Sequence, residues 1–322
     1  MRIRPCRAAT TTVATLLGLC AAIACASAPT PRPDTSANAQ QRPAAAPPPQ
    51  PPEPPAQPAD VGELTQLLDS YGYQSAFVLR PPEGPDVLLH ADRCQTGYLP
   101  ASTFKIPNSL IALETGVVSG PDHLFEWDGV NRPVAAWNQD HTLTSAFQAS
   151  AVWYYQRVAR EVGRERMQSW VDRLGYGNRD ISPAVDRFWL DGGMRITPLQ
   201  QVDFVQRLYE EALPASKEHQ RMVKRIMRSV DYPELPLHVK TGRTGMVDGR
   251  DYGWFVGYLE THAGPYFFAT LHTSDAPGDS FSEDRKRATL RLLQRVGVIP
   301  ASFQVAKTAS GTPEPPRSQA DG

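Results

Sequence analysis

Three short groups of residues in this sequence are of types and spacings that could do chemistry together. The first is Ser102-Thr103-Phe104-Lys105. Residues three apart on a helix share a face, so the Lys105 amine can reach the Ser102 hydroxyl. A serine at a helix N-terminus also sits in a field that favours negative charge. A free hydroxyl is a poor nucleophile without an adjacent base, and this spacing supplies one. Taken alone the pattern is weak, because it also describes an N-cap serine followed by a solvated lysine. The second group is Lys240-Thr241-Gly242, a cation, a hydroxyl and a residue that permits close backbone approach, at the end of a predicted strand. Such an edge suits a substrate carboxylate, although alone it also reads as a strand running into a turn. The third group, Ser150-Ala151-Val152, lies between the other two.

Something must hold these groups against each other. A predicted strand pair, Gln74–Arg80 and Asp86–His90, is joined across Pro81-Pro82-Glu83-Gly84-Pro85. A helix is predicted from Ser102 to Glu114, with Ile106, Leu110 and Leu113 at helical spacing and Gly116 ending it. Further helical patterns cover Val152–Val162, Arg164–Leu174, Pro198–Ala212 and Lys217–Arg228. Leu237–Lys240, Gly253–Glu260 and Tyr266–Thr273 read as strands, and Ser282–Val296 as a closing helix. Strands at both ends with helices between imply a mixed α/β (α+β) fold. One sheet is built from the two ends, with a helical lobe inserted between them.

The remaining residues set the organisation and exclude whole classes of partner. The 322-residue chain carries 33 Lys and Arg against 34 Asp and Glu, a net charge of -1, so no basic field exists to hold nucleic acid. Residues 1–25 combine Arg2, Arg4 and Arg7 with an apolar run from Val13 to Ile23, which is the pattern of an export signal. That run is about half the ~20 residues a spanning helix needs. Ala22-Ile23-Ala24-Cys25 resembles a bacterial lipoprotein box, so Cys25 is a candidate lipid anchor on an exported, periplasmic protein, with ordinary cleavage near Ala26 or Ala28 as the alternative. Residues 26–60 form a spacer in which Pro29 to Pro58 hold twelve prolines and no Leu, Ile, Val or aromatic residue, so they cannot build a core. Residues 61–303 read as one folded domain that carries the three groups, and 304–322 as a polar, Pro-rich tail. Three of the four cysteines precede the spacer, which leaves Cys94 alone in the domain without a disulfide framework. The seven histidines form no His-x-His or His-x-x-x-His pair, which disfavours a metal-dependent hydrolase.

Ser-x-x-Lys, a serine tripeptide and Lys-Thr-Gly, in that order, make up the joint signature of class A β-lactamases and penicillin-binding proteins. The longer match is to the class D, oxacillinase-type, serine β-lactamases. Pro100-Ala101-Ser102-Thr103-Phe104-Lys105-Ile106-Pro107-Asn108-Ser109 resembles that family's nucleophile segment almost residue for residue. Tyr176-Gly177-Asn178 resembles its Tyr-Gly-Asn motif, Phe188-Trp189-Leu190 the loop carrying its lysine-contacting tryptophan, and Tyr252 to Gly257 the strand after Lys-Thr-Gly. The resemblance runs from about residue 70 to 300 and implies the serine β-lactamase/penicillin-binding-protein fold.

The resemblance also implies roles. Ser102 would be acylated by a β-lactam, and Ser150 would pass the proton to the lactam nitrogen. Lys105 would be carboxylated to N6-carboxylysine by carbon dioxide or bicarbonate and act as general base, with no other cofactor and no metal. Phe104, Val152, Trp189 and Leu190 would wall the lysine, with the Trp189 indole N–H holding the carbamate. Lys240, Thr241, Arg243, Arg285 and Tyr176 would line the substrate site, and the backbone N–H groups of Ser102 and Arg243 would form the oxyanion hole. Lys286 and Arg287 adjoin Arg285, so a shift in register would change that choice. Two departures stand out: Arg243-Thr244 follows Lys-Thr-Gly where the family often has an aromatic or apolar residue, and Cys94 has no partner for the disulfide of some members.

The chemistry implied is self-consistent. An ordinary lysine, pKa about 10.4, is protonated at pH 7 and cannot accept a proton from serine. Burial can lower a lysine pKa by ~3–5 units, and only the neutral amine reacts with carbon dioxide. The resulting anion needs a donor, and an indole can only donate. A β-lactam sensor or penicillin-binding module that stays acylated at Ser102 is the competing reading, and Trp189 favours the hydrolase over it. Substrate spectrum and oligomeric state are not set by these motifs.

Overall fold

The computed structural model describes residues 60–305. The export signal with Cys25, the spacer up to residue 59 and the tail from 306 onward lie outside the described residues. In chain order the strands are β1 (Gln74–Arg80), β2 (Val87–Leu89), β3 (Leu124–Phe125), β4 (His141–Thr142), β5 (Leu237–Arg243), β6 (Asp251–Thr261) and β7 (Gly264–Ser274). The helices are α1 (Val61–Asp69), α2 (Ala91–Cys94), α3 (Lys105–Glu114), α4 (Leu143–Gln148), α5 (Val152–Val162), α6 (Arg164–Leu174), α7 (Pro198–Tyr209), α8 (Lys217–Ile226) and α9 (Phe281–Arg295).

Five strands pair antiparallel in the order β2-β1-β7-β6-β5, so both ends of the domain meet in one sheet, as the sequence pattern implies. Successive strand residues point to opposite faces, and both faces here are apolar. Ala76 and Val78 of β1, Trp254 and Val256 of β6, and Ala269 and Leu271 of β7 pack toward the inserted helices. Phe77, Leu79, Phe255 and Phe268 face the other way, toward Leu64 and Leu68 of α1 and Leu292 and Leu293 of α9. The sheet is therefore the middle of three layers, and its strands read as nearly continuous apolar runs.

Local chemistry explains most element ends. Thr197 caps α7 through a reciprocal bond pair with Gln200, and Pro198 occupies the first turn, where its missing N–H costs nothing. Asp60 caps α1 by accepting the Gly62 N–H at 2.9 Å. Three expectations are corrected. First, α7 stops at Tyr209 rather than residue 212, because Glu211 takes a left-handed φ of 56°. Second, Lys240-Thr241-Gly242 lies inside β5, not at its end: the register continues through Gly242 opposite Trp254 to Arg243 opposite Gly253. Third, Ser102 sits on a 3-10 turn, Ala101–Phe104, ahead of α3. That turn is tight because Thr103 sends both its N–H and its hydroxyl to Pro100 O, at 3.1 and 2.7 Å.

The β5–β6 pairing places the Lys-Thr-Gly strand, and one glycine permits its closeness. A side chain at Gly257 would lie 2.8 Å from Val239 Cγ1 and collide with the His238 backbone. The variant Gly257→Ala is expected to lose roughly 1–3 kcal/mol of stability, since overpacking forces backbone to move. A urea midpoint equal to that of the parent would contradict this account of how β5 is seated.

Candidate active site

The reactive turn is held from three sides. From the loop after α6, Trp189 O accepts the Ala101 N–H at 2.9 Å, and Tyr98 pairs with Ile196 through two bonds of 2.9 Å. From the sheet, Trp254 Nε1 donates to Leu99 O at 2.8 Å. From the edge strand, β5 comes so close at Gly242 that a Cβ there would sit 3.0 Å from Pro100 O and 3.3 Å from Thr103 N. The glycine of Lys-Thr-Gly is thus required by proximity, as the sequence suggests for close backbone approach. Inside the turn Ala101 adopts a left-handed φ of 49°, and Ser150 between α4 and α5 adopts 56°. Non-glycine residues hold such geometry only where surroundings over-determine it, and such sites cluster where function needs them.

Ser102 is 7% exposed, and its Oγ accepts a hydrogen bond from Lys105 Nζ at 2.8 Å. Lys105 is wholly buried, and desolvation pushes its pKa down to about 7. No carboxylate pairs with this amine among the described residues. The amine faces the ring of Tyr155 at 5.2 Å, on α5, and that tyrosine shares a 2.8 Å bond with Ser109 of α3. Of the residues expected to wall the lysine, Phe104 stacks on Trp189 at 5.3 Å, and it meets Phe188 edge-on at 4.8 Å. Trp189 is fully buried, and its indole N–H has no acceptor among the described residues. Such an orphaned donor calls for an explanation. Leu190 is half-buried against the same core, and Val152, also half-buried, opens α5 one turn before Tyr155.

Two buried cations line the β5 side. Lys240 Nζ donates to Thr241 O at 3.0 Å and Thr241 Oγ1 at 3.3 Å, and lies 5.5 Å over the ring of Phe147, three residues from Ser150. Burial first, and then the nearby positive charges of Lys105 and Arg285, push its pKa well below the ordinary lysine value. Arg285 is 7% exposed and donates to Gly242 O at 2.9 Å, while burial and the neighbouring Arg243 lower its pKa to about 10. Its neighbours turn elsewhere: Lys286 pairs with Asp231 and Arg287 with Asp284, both at 3.0 Å. Of the three adjacent cations, Arg285 is thus the one that lies against the Lys-Thr-Gly strand. A buried cation without a carboxylate is costly, and an anionic ligand relieves that cost.

The sequence does not anticipate the path of Arg243. Its side chain folds onto the fully buried Asp251 (2.7 Å), Ser282 Oγ (3.0 Å) and the face of Phe281 (5.1 Å) instead of standing free at the mouth. Its backbone is better placed for chemistry. Val239 N–H points away from β6, to Met227 O at 2.8 Å, whereas Thr244 N–H points to Tyr252 O on β6. Alternation therefore puts the Arg243 N–H on the open edge of β5, the edge against which the Ser102 turn packs.

Tyr176 lies lower than a substrate-lining role would suggest. It is 1% exposed beneath the turn, edge-on to Phe104 at 5.5 Å, and its hydroxyl donates to Gln201 at 3.3 Å. Asn178 of the same motif staples the loop, receiving the Arg195 N–H at 2.9 Å and donating to Gly193 O at 2.9 Å. The Ser150 hydroxyl makes no hydrogen bond to Ser102 or Lys105. Sequence reasoning misses Tyr155, Gln201 and Thr103 as members of the site. For Tyr155, its place one turn beyond Val152 on a helical pattern was the available signal; for Gln201, 98 residues from Thr103, there was none.

Comparison with known proteins agrees with this geometry. A family model described as the penicillin binding protein transpeptidase domain matches residues 64–293. β-Lactamase OXA-10 of Pseudomonas aeruginosa is 42% identical over 209 residues, covering 64% of this chain and 78% of that protein. β-Lactamase OXA-48 of Klebsiella pneumoniae is 41% identical over 211 residues, covering 65% and 77%. The crystal structure of the class D β-lactamase YbXI from Nostoc superposes with a TM-score of 0.69 at 39% identity, covering 75% of this chain and all of that one. With a serine nucleophile turn, a buried lysine beside it and a Lys-Thr-Gly edge strand in these positions, the chain belongs to the class D serine β-lactamases.

Proposed function

We infer that the protein hydrolyses the β-lactam amide bond of penicillin-type antibiotics through an ester on Ser102, and so confers resistance to them. The observation that carries this reading is the 2.8 Å contact between Ser102 Oγ and a fully buried amine whose pKa has fallen to about 7. The paired cations Lys240 and Arg285, with the Thr241 hydroxyl, take the substrate carboxylate and orient the lactam. Ser102 Oγ attacks the carbonyl carbon, and the Ser102 and Arg243 N–H groups receive the oxyanion. The C–N bond breaks as Ser150 delivers a proton to the lactam nitrogen. Water then cleaves the ester and regenerates the Ser102 hydroxyl.

The residues around Lys105 fit carboxylation of its amine by carbon dioxide or bicarbonate. The amine is neutral above about pH 7, and the buried Trp189 N–H has no partner among the described residues. Carboxylated, Lys105 supplies an oxygen base for both the attack of Ser102 and that of water. Without that second use the ester would persist and the protein would act only as a sensor or trap. Export to the periplasm, with tethering through lipid on Cys25 and the proline-rich spacer as its reach, is supported by the sequence of residues 1–60.

Steady turnover of a chromogenic cephalosporin is expected, and Ser102→Ala should lose both turnover and covalent label by mass spectrometry. A single burst followed by silence would contradict hydrolysis. Carboxylation needs neutral Lys105, so in air-equilibrated buffer without added bicarbonate activity should fall as pH drops through about 7. Added bicarbonate should move that fall to lower pH by mass action. A pH profile indifferent to bicarbonate would count against the modification. Detergent partitioning of the native protein should be lost in Cys25→Ala, whereas a soluble native form starting near Ser27 would rule out the anchor.

A further inference from the structure

Beneath the nucleophile turn lies a polar network centred on Gln201, a residue that belongs to none of the motifs. Gln201, fully buried on α7, donates from Nε2 to Thr103 Oγ1 at 2.7 Å. Its Oε1 accepts from the Tyr176 hydroxyl at 3.3 Å. The directions are fixed by chemistry. An amide nitrogen can only donate, so the Thr103 oxygen accepts, and its own proton is left for Pro100 O, 2.7 Å away. Pro100 O also takes the Thr103 N–H at 3.1 Å, and these two bonds close the turn that contains Ser102. The left-handed Ala101 and the close approach of Gly242 lie within the same turn. Gln201 presses it from below while β5 bounds it from the side.

We propose that Gln201 is a positioning residue for acylation: by orienting the Thr103 hydroxyl onto Pro100 O, it fixes the Ser102 N–H and Oγ relative to the open edge of β5. This inference rests on Ser102 being the nucleophile and deepens that reading. An oxyanion donor acts by being in place before charge develops. A turn free to relax would therefore slow the reaction without weakening the grip of Lys240 and Arg285 on the substrate.

The test compares Gln201→Leu, Gln201→Glu, Thr103→Val and Thr103→Ser with the parent. Single-turnover acylation by a chromogenic cephalosporin is normalised to the sites that take covalent label, alongside KM and the thermal midpoint. Gln201→Leu and Thr103→Val should slow acylation per labelled site by roughly 10- to 100-fold, the scale of a small misplacement of reacting groups, with substrate binding little changed. Gln201→Glu, which offers Thr103 an acceptor in place of a donor, should behave like them. Thr103→Ser keeps the hydroxyl and should retain the parent rate. Variants that melt earlier yet acylate at the parent rate per labelled site would overturn the proposal. Equal slowing in Thr103→Ser and Thr103→Val would also overturn it, because the hydroxyl would then carry nothing. The Thr103 pair decides the matter if the Gln201 variants do not fold. Absence of label on Ser102 in the parent would fall on the nucleophile assignment itself, and on this inference with it.

Discussion

The desolvation of one amine organises this site. Lys105 is buried completely, has no anionic partner among the described residues and touches the Ser102 hydroxyl. A lysine in that position is useful only when neutral, and burial is the one cause that lowers its pKa. The amine faces Tyr155, and Phe104, next to it in the chain, packs against Phe188 and Trp189. The same burial leaves the Trp189 N–H without an acceptor among the described residues, an orphaned donor that the carboxylation proposed for Lys105 would satisfy.

The rest of the fold secures that pocket against three neighbouring layers. The loop after α6 contributes Trp189 as both a backbone acceptor for Ala101 and a ring on Phe104. The edge strand β5 brings Lys240 and the Arg243 N–H alongside, because Gly242 lets it approach. Helix α9 sends Arg285 across the sheet end to Gly242 O. Two further basic side chains, Lys240 and Arg285, thus stand beside a hydroxyl whose neighbouring lysine has its pKa lowered to about 7. Arg243 adds no free charge, since the buried Asp251 engages its guanidinium.

Much of this was legible in the sequence, for physical reasons that differ by residue. Ser102 and Lys105 were legible because residues three apart share a face in a 3-10 or an α turn and because the ten residues around them resemble one family's nucleophile segment, the spacing alone being a weak signal. The long strands and helices were legible from apolar periodicity. The short α2, the β3–β4 ribbon and the 3-10 turn were not, since elements of two to four residues carry no period, and the nine-residue α1 and six-residue α4 were not read from the sequence either. Lys240-Thr241-Gly242 was found as a motif but placed at a strand end, because a glycine reads as punctuation until its partner strand is known. Arg243 and Tyr176 were found, but their directions depend on Asp251 and Gln201, far away in sequence. Long-range hydrogen bonds of this kind leave no local trace in the chain.

The central claim is that a neutral, buried Lys105 takes up carbon dioxide beside Ser102, with Trp189 holding the product. Carbon-13 NMR of the protein equilibrated with labelled bicarbonate above pH 7 tests this most directly. The account predicts one carbamate resonance that disappears in Lys105→Ala, weakens in Trp189→Phe and vanishes reversibly on acidification below pH 7. A fully active enzyme showing no carbamate resonance, or one that persists in Lys105→Ala, would contradict it.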